Sequence, residues 1–142
     1  FRVGEALFFG KDLFSDGVID GMSDQVLELY TQIIEISEKP KVPTGELGVN
    51  PQGKTAEINE SDRGKTAYRA IIDIGTLDIQ PNYLIPVNDT ITITDASSDM
   101  LVLDVGENPE GYQVGDMIRF KLKYMGALGL MSSDYIEKEV AD

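Results

Sequence analysis

The chain has 142 residues, enough for one domain with a sizeable core. Twenty-five acidic and twelve basic side chains leave a net charge of −13, and such a surface repels both nucleic-acid phosphates and anionic membranes. Cys and His are absent, which removes disulfides, thiolate catalysis, the commonest general base and the commonest zinc ligand.

In chain order, Phe1 to Gly10 is rich in apolar residues, and Val3–Phe9 is expected to be a buried strand closed by Gly10. The run has no initiator Met, so it is expected to begin inside a larger protein. Lys11–Asp24 is turn-rich. Val26–Ser37 supports two readings: Val26, Leu29, Ile33 and Ile36 fit a helical face, while Leu27, Leu29 and the β-branched pair Ile33-Ile34 fit a strand. Pro40 and Pro43 end that element. Thr44–Gly64 is polar and too long for a plain turn, so it is expected to be functional or mobile, with room for a short irregular hairpin.

From Thr66 onward the pattern is β. Ala67–Ile74 ends at Gly75, Thr90–Thr94 alternates with both Ile on one face, and Met100–Leu103 is a short buried strand. Val114-Gly115-Asp116 leads into Met117–Tyr124, where Ile118, Phe120 and Leu122 face one way and Arg119, Lys121 and Lys123 the other. Met125–Leu130 is apolar and Gly-rich, and Asp134–Val140 closes the chain. Short strands separated by turn signals predict a β-barrel or β-sandwich. No apolar run approaches the ~20 residues of a membrane span, and a cytoplasmic location is expected. No phosphate loop, nucleophile elbow or metal-ligand cluster is present, and Asp95, Asp99 and Asp104 do not complete a calcium loop.

Four segments, taken in order, resemble the fold-type III pyridoxal-phosphate racemases, the alanine racemase family. Arg2-Val3-Gly4 resembles the Arg-x-Gly of that family's last barrel strand. Ala70–Gly75 followed by Thr76-Leu77-Asp78 resembles the apolar strand that ends in Gly and leads to the catalytic tyrosine. Ala96-Ser97-Ser98-Asp99 resembles the loop that reaches the partner's active site. Met131–Tyr135 resembles the closing strand, which carries a phosphate-binding tyrosine. The Thr at position 76 and the Ala-Ser-Ser-Asp tetrapeptide resemble the ornithine-racemase-like branch.

The resemblance implies a mainly β fold: the C-terminal β-barrel or β-sandwich domain of the family, at about 25–142, preceded by the last strand of a (β/α)8 barrel within about 1–24. It implies pyridoxal 5′-phosphate as cofactor. Arg2 would donate to the pyridine nitrogen and keep it unprotonated, a poorer electron sink that favours racemisation over transamination. Gly4 and Glu5 would offer backbone N–H groups to the phosphate, and Tyr135 would also contact it. Ser98 would give its backbone N–H to the substrate carboxylate beside Asp99. Thr76 stands where the family has its catalytic tyrosine and is a poor base near neutral pH, which puts the usual two-base mechanism in doubt. Asp78 becomes the candidate for a cationic substrate.

Each residue also has a plainer reading. Arg2 could be an exposed strand end, Asp78 a turn residue, Ser98-Asp99 a turn capping a core strand, and Tyr135 a core tyrosine. No lysine here stands in the context of the Schiff-base lysine, so the chain alone is expected to be inactive. The implied partners are an amino-acid substrate, with ornithine or a related basic one favoured and alanine a further possibility, and a second copy in a homodimer with its active site at the subunit interface. An acidic, non-enzymatic β-barrel interaction module is the alternative. The proteins of pyridoxal-phosphate homeostasis share the (β/α)8 barrel but lack the β domain.

Overall fold

The computed structural model describes residues 3–12, 14–15, 17–45, 48–49, 53 and 58–140. Six strands dominate: β1 (Glu28–Pro40), β2 (Thr66–Ile72), β3 (Leu84–Pro86), β4 (Thr92–Ala96), β5 (Leu101–Asp104) and β6 (Met117–Leu122). Two short helices flank them, α1 (Gly4–Phe9) and α2 (Tyr124–Ser132). The strands form one antiparallel sheet in the order β3-β6-β1-β2-β5-β4. Its two edge strands, β3 and β4, are consecutive in sequence and joined through 87–91, so the sheet curls into a nearly closed barrel. The mainly β class expected from the sequence is therefore the observed one.

The strand alternative for Val26–Ser37 is the one that forms. Leu29, Thr31 and Ile33 are buried while Tyr30, Gln32 and Ile34 face out, a period of two. An irregularity between Ile33 and Glu35 absorbs the adjacent Ile pair, leaving Ile33 in the core and Ile34 exposed. Residues 28–32 of β1 pair with β6, and 33–40 pair with β2. At the changeover the carboxylate of Asp73 accepts from Thr31 Oγ1 at 2.6 Å and from the Gln32 N–H at 2.8 Å. Thr31 is a buried polar residue, and Asp73 satisfies its hydroxyl.

β1 ends at Pro40, as its missing N–H requires. The polar stretch after it connects the antiparallel pair β1–β2, and the irregular hairpin anticipated there falls largely outside the described residues. Ile33, Ile72, Leu101, Leu103, Ile118 and Phe120 fill the barrel and are almost fully buried. On the outer face Arg119 pairs with Glu28 at 2.8 Å and Lys121 with Asp24 at 2.8 Å. Arg69 and Asp104 face each other across β2 and β5 at 3.1 Å, both mostly buried.

Two expectations are corrected. Val3–Phe9 is not a strand: Gly4–Phe9 is helical, with its amides bonded within the segment, Leu7 N–H to Val3 O at 3.0 Å and Gly10 N–H to Ala6 O at 2.9 Å. A short apolar run carries no periodicity that separates strand from helix. Among the described residues no strand pairs with it, and a helix satisfies its backbone locally. Gly10 caps it at a φ of 60°. The closing segment around Tyr135 is likewise not a strand. It follows α2 as bends and coil, and Tyr135 is 94% exposed, so the core-tyrosine reading fails too.

Candidate functional site

The segment after β2 turns back on itself. Gly75 O accepts from the N–H groups of Asp78 and Ile79, both at 3.0 Å, and the Asp78 carboxylate accepts from the Gly75 N–H at 3.3 Å. Ile74 and Ile79 are buried on either side, so the turn is anchored in the core at both ends. Ile79 and Tyr83 press against α2 at Gly126, where a Cβ would come within 2.8 Å of each.

The loop between β4 and β5 is built as tightly. Ser97 N–H donates to Met100 O at 2.8 Å, and Met100 N–H donates to Ser97 Oγ at 3.1 Å. This loop lies directly on the Gly75 turn. Thr76 N–H donates to Ser97 O at 2.9 Å, and Leu77 N–H donates to Ser98 O at 3.0 Å. The approach is so close that a Cβ on Gly75 would sit 2.5 Å from the Asp99 carbonyl carbon, nearer than real Cβ contacts come. Thus the second and third motifs, about twenty residues apart in sequence, form one surface carrying Thr76, Asp78, Ser98 and Asp99.

The groups on that surface have defined capacities. Among the described residues neither the Ser98 nor the Asp99 backbone N–H donates to a protein acceptor, so two successive donors stand at the exposed loop apex. Ser98 Oγ donates to the Asp99 carboxylate at 2.7 Å. Neither Asp78 nor Asp99 is ion-paired with a described cation. Paired N–H donors suit a carboxylate, and unpaired carboxylates suit an ammonium. Thr76 is half-buried and Leu77 is exposed between its polar neighbours.

The remaining predicted residues do not join this surface. Arg2 lies outside the described residues. Gly4 and Glu5 occupy the first turn of α1 rather than a strand end, and among the described residues no hydrogen bond links them to Tyr135. Gly4 and Glu5 thus stand in a helical turn, and Tyr135 is exposed to solvent. A cleft of about 340 Å³ lies elsewhere, lined in part by Val87, Asn88, Tyr112 and Arg119, and none of Thr76, Asp78, Ser98 and Asp99 lines it. No described helix is long and apolar enough to cross a membrane.

Sequence reasoning missed Gly75 and Asp73 as positioning residues. Gly75 reads in sequence only as a strand end, although a Gly after a β-run is also a signal for close backbone approach. Asp73 is a polar residue inside an apolar run, and that interruption was its signal.

No protein-family model and no solved structure matches the chain. It is 40% identical over 139 residues to the ornithine racemase of Acetoanaerobium sticklandii, covering 98% of this chain and 38% of that protein. It is 38% identical over 137 residues to the lysine racemase of Thermotoga maritima, covering 96% of this chain and again 38% of the relative. The chain thus spans well under half the length of these curated relatives. Almost every residue of it nevertheless aligns with one continuous design, and the motif resemblance and the identities agree that this β-barrel is homologous to a section of the ornithine- and lysine-racemase-like amino-acid racemases.

Proposed function

We propose that the chain is the C-terminal β domain of a pyridoxal-phosphate-dependent amino-acid racemase, acting on an amino acid with a second, cationic group such as ornithine or lysine. The observation that carries this reading is the docking of the Thr76–Asp78 turn on the Ser97–Ser98 loop, in a chain 38–40% identical to racemases of those two substrates. In this reading the free N–H groups of Ser98 and Asp99 hold the α-carboxylate. The Asp78 carboxylate, unpaired with any described cation, attracts the cationic side chain.

Racemisation moves a proton off one face of the α-carbon and returns one to the other, so it needs a group at each face. With His and Cys absent, Thr76 and Asp78 are this chain's candidates for one face. Asp78, engaged with the distal ammonium, cannot also reach the α-carbon, and the Thr76 hydroxyl is a poor base near neutral pH, so in this reading the second base lies outside this chain. The cofactor of this reading is held chiefly by parts of the enzyme outside the chain. The domain delivers its turn–loop surface to the active site of a second subunit, and alone it is inactive.

The test is turnover by the full-length protein that carries this chain. Loss of optical rotation from L-ornithine or L-lysine, abolished by Asp78→Asn with cofactor absorbance retained, supports the assignment. Full turnover by the Asp78→Asn variant removes Asp78 from the mechanism. Failure of the unaltered protein to racemise any basic amino acid or alanine removes the function.

A further inference from the structure

Leu77 is 78% exposed, although its neighbours Gly75 and Ile79 are buried. A lone exposed leucine is ordinary on a protein surface. This one is held unusually firmly. Its own N–H is bonded to Ser98 O at 3.0 Å, the preceding N–H to Ser97 O at 2.9 Å, and the turn closes behind it through Gly75 O. Its backbone is fixed, and along the turn it stands between Thr76 and Asp78. The Ser98 and Asp99 donors are on the loop it rests against. Met100, 40% exposed and tied to Ser97, adds a second apolar side chain to that loop.

A ligand matching this order of groups has a carboxylate, then an aliphatic stem, then a cation. Carboxylates alone hold a cation at any distance the substrate can reach, with little regard to what lies between. An apolar wall differs, because each methylene laid on it adds to binding. We infer that Leu77 is the specificity-determining residue for stem length, the surface on which the methylenes of a diamino acid lie. This rests on the racemase reading above and goes beyond it, because it assigns discrimination between substrates to a residue with no polar group. Leu77 is not a catalytic residue, and its effect belongs in KM rather than kcat.

One methylene against an apolar surface is worth roughly 10- to 200-fold in selectivity in well-formed pockets. The experiment compares kcat/KM of the full-length protein for L-lysine, L-ornithine and L-alanine, before and after Leu77→Ala and Leu77→Met. Leu77→Ala is expected to lower kcat/KM for lysine about tenfold through KM, lower ornithine less, and leave alanine within about twofold. Leu77→Met, apolar and of similar volume, is expected to restore the order. An equal fall for all three substrates, or a fall carried by kcat, makes Leu77 structural and overturns the inference while the racemase reading stands. Absence of turnover with all three in the unaltered protein overturns both.

Discussion

The turn at Gly75–Asp78 is clamped from both sides, whereas Tyr135 stands in solvent beside Ile136, which packs on the core. The turn has buried Ile on each flank, two backbone bonds to the neighbouring loop and an approach that excludes a Cβ. Tyr135 follows the last helix with its side chain in solvent. Both were singled out by motifs of similar length. The difference lies in their surroundings: the turn is spliced between strands whose register is set by paired neighbours, and the closing segment has no such frame. A motif's place is fixed when the elements on both sides of it are fixed.

Gly75→Ala attacks the clamp directly and should have the largest effect. The methyl meets backbone rather than a pliable side chain, so a loss of about 1–3 kcal/mol in denaturant unfolding is expected. Stability equal to the unaltered chain would show that the turn and loop are not in this contact. Asp73→Ala comes next. It strips the acceptor from the buried Thr31 hydroxyl and from the Gln32 N–H, and should cost about 1–2 kcal/mol by the same measurement. Thr31→Val in the Asp73→Ala background should return part of that loss, since it removes the orphaned hydroxyl.

A smaller effect is expected at Asp24, and it depends on pH. The hydrogen bond from Lys121 holds the Asp24 carboxyl below the usual carboxylate range. A lowered folded-state value means the stabilisation is present above the unfolded value and is lost as pH falls through the folded one. Asp24→Asn should therefore cost a few tenths of a kcal/mol at neutral pH, in keeping with an open ion pair, and the difference should vanish in strong acid. A difference that grows on acidification would reverse the sign and refute the pairing. Smallest of all, Tyr135→Ala should change stability by less than about 0.5 kcal/mol. A larger loss would mean that the Tyr135 side chain packs after all and would erase the contrast with the turn.

These contrasts also show what the residues disclose unaided. The alternation through β4 and β6, and the run ending at Gly75, gave strands where strands are found, because period two has no other outlet once one face is buried. β3 went unread. It is three residues long beside two prolines and lies at the sheet's edge, where a missing N–H is tolerated. The helix α2 was masked by Gly126 and Gly129, which weaken a helical pattern, yet Gly126 is what lets the helix approach Tyr83. At the site, Thr76, Asp78, Ser98 and Asp99 could be named from motifs. Their meeting could not, because it depends on a space that exists only once β2, β4 and β5 are in register.

β1 lends its first residues to β6 and its remainder to β2, with the changeover pinned at Asp73. A strand divided in this way ties the β3–β6 side of the sheet to the β2–β5–β4 side. Neither half can open without stripping partners from the other, so local unfolding that stops midway has no low-energy resting place. Amides on both sides of the changeover should exchange with solvent through the same global event. The surface formed by the turn and the loop then lasts as long as the whole barrel, and no longer.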